Sequence, residues 1–337
     1  MKKILVTGSA GFIGFHVFKK LREIGWDVLG VDNINDYYDI RLKLGRLRVC
    51  GFDTDNISTG REIASPDGGR FIKLDLKDKG QVAQLFEKEK FDIVCHLAAQ
   101  PGVRYSIQNP YAYVDNNIFA FLNILEGCRH QKIKHLLYAS SSSVYGNNAK
   151  IPFSTSDIVD SPVSLYAATK KSDELMAHCY SHVYHLPTTG LRFFTVYGPW
   201  GRADMAMFKF TKAILAGDPI DVYNHGNLKR DFTYVDDIVD GVSRILSQDF
   251  PENMTEPYRI YNIGHGAPVA LLDFIRAIEK VVGKKARLNM LDMQPGDVNI
   301  TWADTSDLQR DFGYTPQVDI HKGVTAFVQW YREFYHV

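Results

Sequence analysis

The sequence has no excess of either charge, few cysteines and no dense basic stripe. Its 39 Lys and Arg residues balance 39 Asp and Glu residues, so the formal net charge is zero. That balance argues against a broad nucleic-acid-binding surface. The 4 cysteines lie far apart and form no CxxC pair, which argues against a disulfide framework and a zinc site. We therefore expect a cytoplasmic protein with no bound metal and no nucleic-acid partner.

The sequence also lacks a hydrophobic run that is long enough to span a membrane. Lys2 and Lys3 followed by residues 4–6 imitate the start of a signal peptide, but Gly8 and Gly11 interrupt the apolar stretch. The 337 residues, of which 45% are hydrophobic, can bury the core of one large or two medium domains. These features favour a globular protein without a membrane partner.

Short aliphatic and β-branched runs alternate with amphipathic segments in the first half of the chain. The predicted strands are residues 4–6, 28–31, 71–74, 93–97 and 135–139. Continuous apolar runs of this kind, separated by helices, are typical of a parallel sheet that is covered on both faces. The sequence predicts an α/β fold with a doubly wound parallel (Rossmann) sheet.

Other segments are predicted from their composition. Residues 33–48 are rich in Arg, Lys and Tyr and predict a mostly solvated helix, and the polar stretch that follows, to residue 70, predicts a surface loop. Residues 111–131 and 164–185 predict helices whose broad apolar faces pack on the sheet or form a dimer bundle. Many prolines punctuate the chain after residue 186, which predicts a smaller α/β C-terminal lobe.

A glycine-rich turn follows the first predicted strand and opens a helix. Gly8, Gly11 and Gly14 allow the backbone to approach a pyrophosphate, whose charge then lies at a helix N-terminus. Glycines also mark any tight turn between a strand and a helix, so the context matters. The turn, with Phe12 and Ile13, is predicted to bind a dinucleotide.

The second strand ends in Asp32, followed by Asn33. A carboxylate at this position accepts hydrogen bonds from the ribose hydroxyls and repels a 2′-phosphate, which favours NAD over NADP. Asp75, followed by Leu76, either reaches the adenine or caps the end of the third strand. Further cofactor contacts are predicted at Leu97, Ala98, Ala99 and Gln100.

Tyr166 and Lys170 stand one helical turn apart and predict a catalytic pair. A free tyrosine has a pKa near 10 and is a poor base at neutral pH until a neighbouring cation stabilises the phenolate. The serine run 140–143 follows the fifth strand, and a hydroxyl there can relay or orient the proton between a substrate and Tyr166.

With these residues the chain resembles the extended short-chain dehydrogenases/reductases, and among them the nucleotide-sugar epimerase and dehydratase group. The similarity covers almost the whole chain, from Lys3 to Tyr335. The general motifs are the glycine turn, Asp32, the serine run and the Tyr166/Lys170 pair. The narrower motifs are residues 36–39, 103–106 and 195–202.

The resemblance implies Ser141 as the hydroxyl beside Tyr166, with Lys170 as the third catalytic residue. It implies NAD that is tightly bound and regenerated in each turnover. Ser142 and Ser143 occupy positions where related dehydratases carry Asp and Glu. Because this sequence has no acid or base there, elimination and decarboxylation are disfavoured.

The resemblance also implies the sugar. Thr195 stands where galactose epimerases commonly have Asn, which is expected if the sugar carries a C6 carboxylate, and Arg202 would assist unless it forms only a surface salt bridge. The implied activity is the interconversion of UDP-glucuronate and UDP-galacturonate through a 4-keto intermediate. The alternatives are a UDP-glucose or UDP-N-acetylhexosamine 4-epimerase and a non-catalytic NAD-sensing protein.

The remaining assignments follow from the same resemblance. Asn117 and Phe194 are implied in cofactor binding. The implied substrate-binding residues are Arg104, Ser142, Ser143, Thr195, Arg202, Val222, Tyr223, Arg230 and Asp297. A UDP-sugar is the implied partner, and a homodimer is expected. Residues 1–185, with a returning segment near 221–248, are expected to bind NAD, and residues 186–337 mainly the nucleotide sugar.

Overall fold

A computed structural model of the chain describes residues 2–250, 256–294 and 296–337. The chain divides into two compact units that interleave in sequence. The first comprises Met1–Gly146, Ile158–Arg192 and Val242–Tyr261, and the second comprises Asn147–Asp157, Phe193–Gly241 and Asn262–Val337, each within the described residues. The division at residue 185 into cofactor-binding and sugar-binding parts remains a prediction about function.

The elements are numbered in chain order. The strands are β1 Lys3–Thr7, β2 Asp27–Asp32, β3 Glu62–Ala64, β4 Arg70–Lys73, β5 Ile93–His96, β6 His135–Ser141, β7 Thr188–Phe193, β8 Thr195–Tyr197, β9 Pro219–Tyr223, β10 Lys229–Arg230, β11 Phe232–Tyr234, β12 Tyr258–Ile263, β13 Val269–Ala270 and β14 Arg287–Leu291. The α-helices are α1 Phe12–Glu23, α2 Ile40–Val49, α3 Lys79–Glu89, α4 Tyr105–Gln108, α5 Pro110–Tyr113, α6 Ala120–Gln131, α7 Leu165–Tyr184, α8 Ala206–Ala216, α9 Val235–Ser247, α10 Leu271–Val282, α11 Ser306–Phe312 and α12 Ile320–Tyr335. A π-helical segment, Val114–Phe119, joins α5 to α6, and a 3₁₀ turn, Ser142–Tyr145, follows β6.

The first unit is built on an eight-stranded sheet with the order β12-β7-β6-β5-β1-β2-β4-β3. The pairings β1/β2, β1/β5, β2/β4 and β5/β6 are parallel, and the edge strand β3 is antiparallel to β4. The chain moves from β1 to one side and then returns to pair β5 on the other, so the strand order reverses between β1 and β5. In such sheets a ligand binds beyond the carboxyl ends of the strands at this reversal. The predicted α/β fold with a Rossmann sheet is confirmed.

The sheet forms because its central strands have apolar side chains on both faces. Leu5, Leu29, Val94 and Leu136 are all fully buried in one hydrophobic cluster, with Phe121 of α6 packed among them. Strands that are covered on both faces read as continuous apolar runs, as these do. None of the helices in the described part of the chain combines the length and the apolar character that crossing a membrane requires.

The prediction of a mostly solvated helix over residues 33–48 is wrong. The helix α2 begins only at Ile40, after Asp39, whose side chain accepts the backbone N–H of Arg41. Lys43 and Arg46 on this helix are buried. Charged side chains usually lie in solvent, but these two are buried because each has polar partners inside the unit.

The prediction that the polar stretch to residue 70 is only a surface loop is also wrong. β3 lies in this stretch and pairs with β4 in the register Ile63 to Phe71. Phe52 is buried and its ring lies 5.8 Å from the rings of Phe18 and Phe71. The sequence did not predict this edge strand because the stretch is rich in glycine and serine. In addition, the strand has only three residues, which is too short to show an alternating pattern.

Within the described residues, the second unit has three strand pairs instead of one large sheet. The pairs β8/β11 and β9/β14 are parallel, and β10/β13 is antiparallel. Its core is aromatic. The rings of Phe232 and Phe274 stack at 4.0 Å, and Phe208 meets Tyr331 edge to face at 5.1 Å. Large rings compensate for the short strands because each buries a large apolar area.

A buried polar network connects α7 to the sheet of the first unit. The guanidinium of Arg192 donates two hydrogen bonds of 2.9 Å to the carboxylate of Glu174 and one of 3.0 Å to the phenol oxygen of Tyr145. Ser140 donates to Glu174 at 2.6 Å. The Arg192 and Glu174 side chains are 4% and 2% exposed. The network therefore sets the position of α7 relative to the end of β6.

We predict that Glu174→Ala lowers the free energy of unfolding by about 3 to 5 kcal/mol, because it leaves the Arg192 guanidinium buried without its counter-ion. Chemical unfolding followed by circular dichroism measures this change. The matched control is Arg48→Ala, which breaks the exposed pair with Asp55 and should change the free energy by less than about 0.5 kcal/mol. Equal effects of the two substitutions would contradict the prediction.

Candidate active site

The glycine turn has the geometry that a bound pyrophosphate needs. Gly8 has a φ of +71°, and a Cβ at this position would lie 2.8 Å from the backbone nitrogen of Ala98. A Cβ on Gly14 would collide with the carbonyl oxygen of Gly8. Gly11 is the N-cap of α1, and no side chain caps that terminus within the described residues. The backbone N–H groups of this terminus can therefore bind an anion.

Thr7, which has no role in the sequence analysis, holds the glycine turn close to the end of β5. Its hydroxyl oxygen accepts the backbone N–H groups of Leu97 and Ala98, both at 3.1 Å. It also makes a hydrogen bond of 2.8 Å with Nδ1 of His96. Burial, together with the charge of Lys170, lowers the pKa of His96 to about 3, so this imidazole is neutral. Thr7 thus holds the glycine turn, which follows β1, next to Leu97 and Ala98, which follow β5.

Asp32, the acidic residue at the end of β2, has partners that the sequence did not reveal. Its Oδ1 accepts the backbone N–H of Ile34 at 2.7 Å and the ammonium of Lys43 at 3.3 Å. Lys43 also donates to the side chain of Asn35 at 3.0 Å. Both bonds to Asp32 go to Oδ1, which leaves Oδ2 for ribose hydroxyls. These residues fit the ribose of NAD.

A cavity of about 290 Å³ lies beside this carboxylate and is lined by Asn33, Asn35, Thr59, Lys73 and Asp75. Asp75 accepts the backbone N–H of Lys77 at 3.0 Å, so it caps the end of β4 and also lines the cavity. The two roles that the sequence left open for Asp75 are therefore compatible.

Arg46 is a further residue that the sequence analysis missed. It is fully buried, and its Nη1 donates to the carbonyl oxygen of Ala10 and to the phenol oxygen of Tyr38, both at 2.8 Å. Ala10 belongs to the glycine turn. A cation on this carbonyl adds positive potential where the diphosphate of a dinucleotide would bind.

The predicted catalytic residues come from β6 and α7. Ser141 ends β6 and caps the 3₁₀ turn, accepting the backbone N–H of Ser143 at 3.2 Å and its hydroxyl at 2.9 Å. Tyr166 is in the first turn of α7 and is partly buried. Lys170 is one turn later and is buried, with its ammonium 3.0 Å from the carbonyl oxygen of Ala139. The structure thus places Lys170 against the strand that carries Ser141.

Asn117 stands in the π-helical segment, and its side chain connects two parts of the predicted site. Its Oδ1 accepts the backbone N–H of Gln100 at 2.7 Å, and its Nδ2 donates to the hydroxyl of Thr169 at 3.0 Å. Thr169 in turn donates to the carbonyl oxygen of Tyr166 at 2.9 Å. π-Helical turns often mark functional sites. Asn117 is therefore a positioning residue for the turn of α7 that carries Tyr166.

The other predicted cofactor residues of the first unit surround the same turn and strand ends. Phe12 and Leu76 are buried, while Ile13 and Ala99 are partly buried. Arg104 is exposed just before α4, and Ser142 and Ser143 are partly buried in the 3₁₀ turn. The structure brings the two serines next to Ser141.

The other predicted residues lie in the second unit. Phe194 is buried, and Thr195 begins β8 and donates its backbone N–H to the carbonyl oxygen of Asp231 at 3.0 Å. Arg202 forms a two-bond pair with Asp204 at 2.9 and 2.7 Å. The surface salt bridge that the sequence left open for Arg202 is therefore present in the structure.

The remaining predicted contacts differ in what they can offer. The Val222 side chain is completely buried, which leaves only its main chain for a ligand. Tyr223 ends β9 and is partly buried. Arg230 donates to the carbonyl oxygens of Lys229 at 2.9 Å and Asn299 at 3.3 Å. Asp297 is partly buried.

The residue after Arg230 was missed by the sequence analysis. Asp231 is completely buried, and its carboxylate accepts the backbone N–H groups of His265, Gly266 and Ala303 at 2.7, 2.9 and 3.0 Å. A carboxylate in a cage of N–H groups is a strong structural tie. Asp231 therefore holds in place the strand on which Arg230 is carried.

Comparison with known proteins gives the same family as the sequence motifs. The family model described as NAD dependent epimerase/dehydratase family matches residues 4–264. Protein CapI of Staphylococcus aureus is 54% identical over 345 residues, covering 99% of each chain. A probable UDP-glucuronate 4-epimerase of Rhizobium meliloti is 45% identical over 346 residues, which cover 99% of this chain and 98% of that protein.

Among solved structures, the chain resembles UDP-glucuronic acid 4-epimerase from Bacillus cereus, crystallised in complex with UDP-glucuronic acid and NAD. The TM-score is 0.87 and the sequence identity is 34%, with 99% of this chain and 100% of that chain covered. The similarity to the solved structure and to the relatives covers the whole of the fold described above. The chain belongs to the NAD dependent epimerase/dehydratase family.

Proposed function

We propose that this protein is a nucleotide-sugar 4-epimerase that interconverts UDP-glucuronate and UDP-galacturonate. The observation that carries the proposal is the set of Ser141, Tyr166 and Lys170 at the carboxyl end of β6 and the first turns of α7, in the same parallel sheet whose strand β1 leads into the glycine turn. The similarity to a probable UDP-glucuronate 4-epimerase, and to the solved epimerase complex with UDP-glucuronic acid and NAD, supports the same reaction and cofactor.

The residues of the chain supply the proton chemistry and the orientation. Tyr166 takes the proton of the sugar 4-hydroxyl and later returns it, and the ammonium of Lys170 stabilises the phenolate. Ser141 orients or relays that proton. Bound NAD supplies a reversible acceptor for the C4 hydrogen, so that oxidation at C4 is followed by reduction from the opposite face.

The serines beside the catalytic set support epimerisation over elimination. Ser142 and Ser143 are hydroxyls, not the acid and base that a dehydratase needs to expel a hydroxyl group. A 4-keto glucuronate is a β-keto acid, which loses carbon dioxide readily. We propose that Ser142 and Ser143 of the first unit bind the sugar carboxylate in an orientation that discourages this loss. A separate proposal, from the family resemblance, is that Thr195 and Arg202 of the second unit are sugar contacts.

The first of three predictions from this proposal concerns the catalytic phenol. Tyr166→Phe removes the proton acceptor, and we expect kcat to fall between about 100-fold and 10,000-fold. NMR of the anomeric protons, with UDP-glucuronate and no added NAD, measures the appearance of UDP-galacturonate. The control Tyr184→Phe changes a tyrosine on the same helix that is 44% exposed and should leave kcat unchanged.

The same assay separates the alternatives. If the wild-type protein epimerises UDP-glucose or UDP-N-acetylglucosamine but not UDP-glucuronate, the catalytic set stands and the carboxylate assignment is wrong. If no UDP-sugar reacts although NAD binds, the protein is an NAD-sensing protein and not an enzyme.

The second prediction concerns the carboxylate. Ser142→Ala removes a hydroxyl that is proposed to contact a charged group, so we expect the KM for UDP-glucuronate to rise about tenfold. The KM for UDP-glucose, if it reacts, should change little. Trapping carbon dioxide from labelled substrate should show more release by the variant, and unchanged KM and release would contradict the assignment.

A homodimer is proposed from apolar side chains that the first unit leaves exposed. Tyr111, Val114 and Phe119, before α6, and Leu175 and Val183, on α7, are between 45% and 81% exposed. Exposed apolar groups on two helices, which the sequence already marked as broad apolar faces, are typical of an interface. We propose that two copies pair through these helices.

We also propose that the enzyme works in the cytoplasm, where its cysteines stay reduced.

The third prediction tests this dimer. Leu175→Glu places a charge in the proposed interface, and sedimentation equilibrium should show a monomer where the wild type is a dimer, because burying an unpaired charge is costly. The control Ile158→Glu changes a residue that is 81% exposed outside the two helices and should remain dimeric. A Leu175→Glu protein that is still a dimer would place the interface elsewhere.

A further inference from the structure

A buried carboxylate contacts the catalytic lysine directly. Oδ2 of Asp173 lies 3.0 Å from Nζ of Lys170, and the two side chains are 3% and 2% exposed. An ammonium has three donors. One goes to Asp173 and one to the carbonyl oxygen of Ala139 at 3.0 Å, which leaves one for the active site.

A contribution to the stability of the fold does not by itself explain why the Asp173 carboxylate is buried beside Lys170. Its second oxygen, Oδ1, is buried and accepts no hydrogen bond from the described residues. A buried ion pair compensates its desolvation only when the remaining lone pairs are also satisfied. The tie between α7 and the sheet is made by the next residue, Glu174, which is bonded to Arg192 and Ser140. Asp173 is therefore left to act on Lys170.

The groups that surround this pair carry little other charge. On α7, Asp173 faces Lys170 and its neighbour Glu174. On β6, it faces the phenol of Tyr138, whose pKa is raised by burial, by Tyr258 of β12 and by the carboxylates of Glu174 and Asp173. On β5, His96 faces Lys170 and is neutral, because burial and Lys170 lower its pKa to about 3. Among the described residues, Lys170 is the cation that stabilises the Asp173 carboxylate.

We propose that Asp173 is a positioning residue for the epimerase reaction, holding the Lys170 ammonium and, as its counter-ion, limiting how strongly Lys170 stabilises the Tyr166 phenolate. This inference rests on the proposed function, which assigns Tyr166 and Lys170 as the catalytic pair. No covalent or redox step is added by it.

The charge of Asp173 changes near neutral pH. Burial raises the pKa of its carboxyl to about 7, Lys170 opposes that rise, and Glu174 adds to it. Above this pH the carboxylate is ionised, so it offsets the Lys170 charge and weakens the stabilisation of the Tyr166 phenolate. Below it the carboxyl is neutral and Lys170 acts on Tyr166 with its full charge. Removing the carboxylate should therefore let Lys170 stabilise the phenolate more strongly above this pH.

The test is Asp173→Asn in the NAD-loaded enzyme. Asn keeps the size of the side chain and an oxygen that accepts from Lys170, but has no charge. We expect the part of the acid limb of kcat/KM that lies above about pH 7 to move to lower pH by up to about one unit, because one carboxylate next to the cation is removed; below that pH, where Asp173 is neutral in the wild type, the two profiles should converge. Ultraviolet difference spectra against the Tyr166→Phe form should show more phenolate in the variant than in the wild type above the same pH, with and without NAD.

The matched control is Asp160→Asn, which removes a carboxylate that is 75% exposed and lies 3.9 Å from Lys171. Its profile should coincide with that of the wild type. If the Asp173→Asn profile also coincides with the wild type, or if activity falls equally at every pH with no shift of the limb, the proposal is overturned. A fully active Tyr166→Phe enzyme would instead overturn the proposed function, and the assignment of Asp173 with it.

Discussion

The proposed active site depends on one buried ion pair, between Glu174 on α7 and Arg192 on β7. Tyr166 and Lys170 lie on α7, while Ser141 is at the end of β6, so the proton transfer proposed for them requires the helix to keep a fixed position on the sheet. The two charges are out of water, and each is satisfied by further hydrogen bonds, which makes the geometry costly to change. A surface pair of the same kind would not restrict the helix in this way.

Charges at the other end of the sheet are buried for a related reason. The carboxylate of Asp32 is proposed to bind the ribose, and Lys43 contacts its Oδ1. Arg46 reaches the carbonyl oxygen of Ala10 in the glycine turn. A helix that looks solvated in the sequence thus supplies two cations to the cofactor site. Burying them is tolerated because each has polar partners and because a dinucleotide carries negative charge.

The second unit uses a carboxylate in the opposite manner. Asp231 contacts no ligand in the proposal, yet its oxygens accept three backbone N–H groups from distant parts of the chain. The part of the unit that the structure describes has no large sheet, so these bonds and stacked rings such as Phe232 and Phe274 replace the long ladders of the first unit. The motif around Arg230 therefore combines a proposed ligand contact with a structural acid.

The sequence by itself determined the Rossmann sheet and the glycine turn, and it singled out Tyr166 and Lys170 as the proposed catalytic pair, because each has a local pattern: continuous apolar strands, glycines between a strand and a helix, and a tyrosine one turn before a lysine. It did not determine which charged side chains are buried. Lys43, Asp173 and Glu174 look like solvated residues in the sequence, and their partners are brought to them only by the fold. A charge is stable inside a protein only beside a partner, and that pairing is decided by tertiary structure.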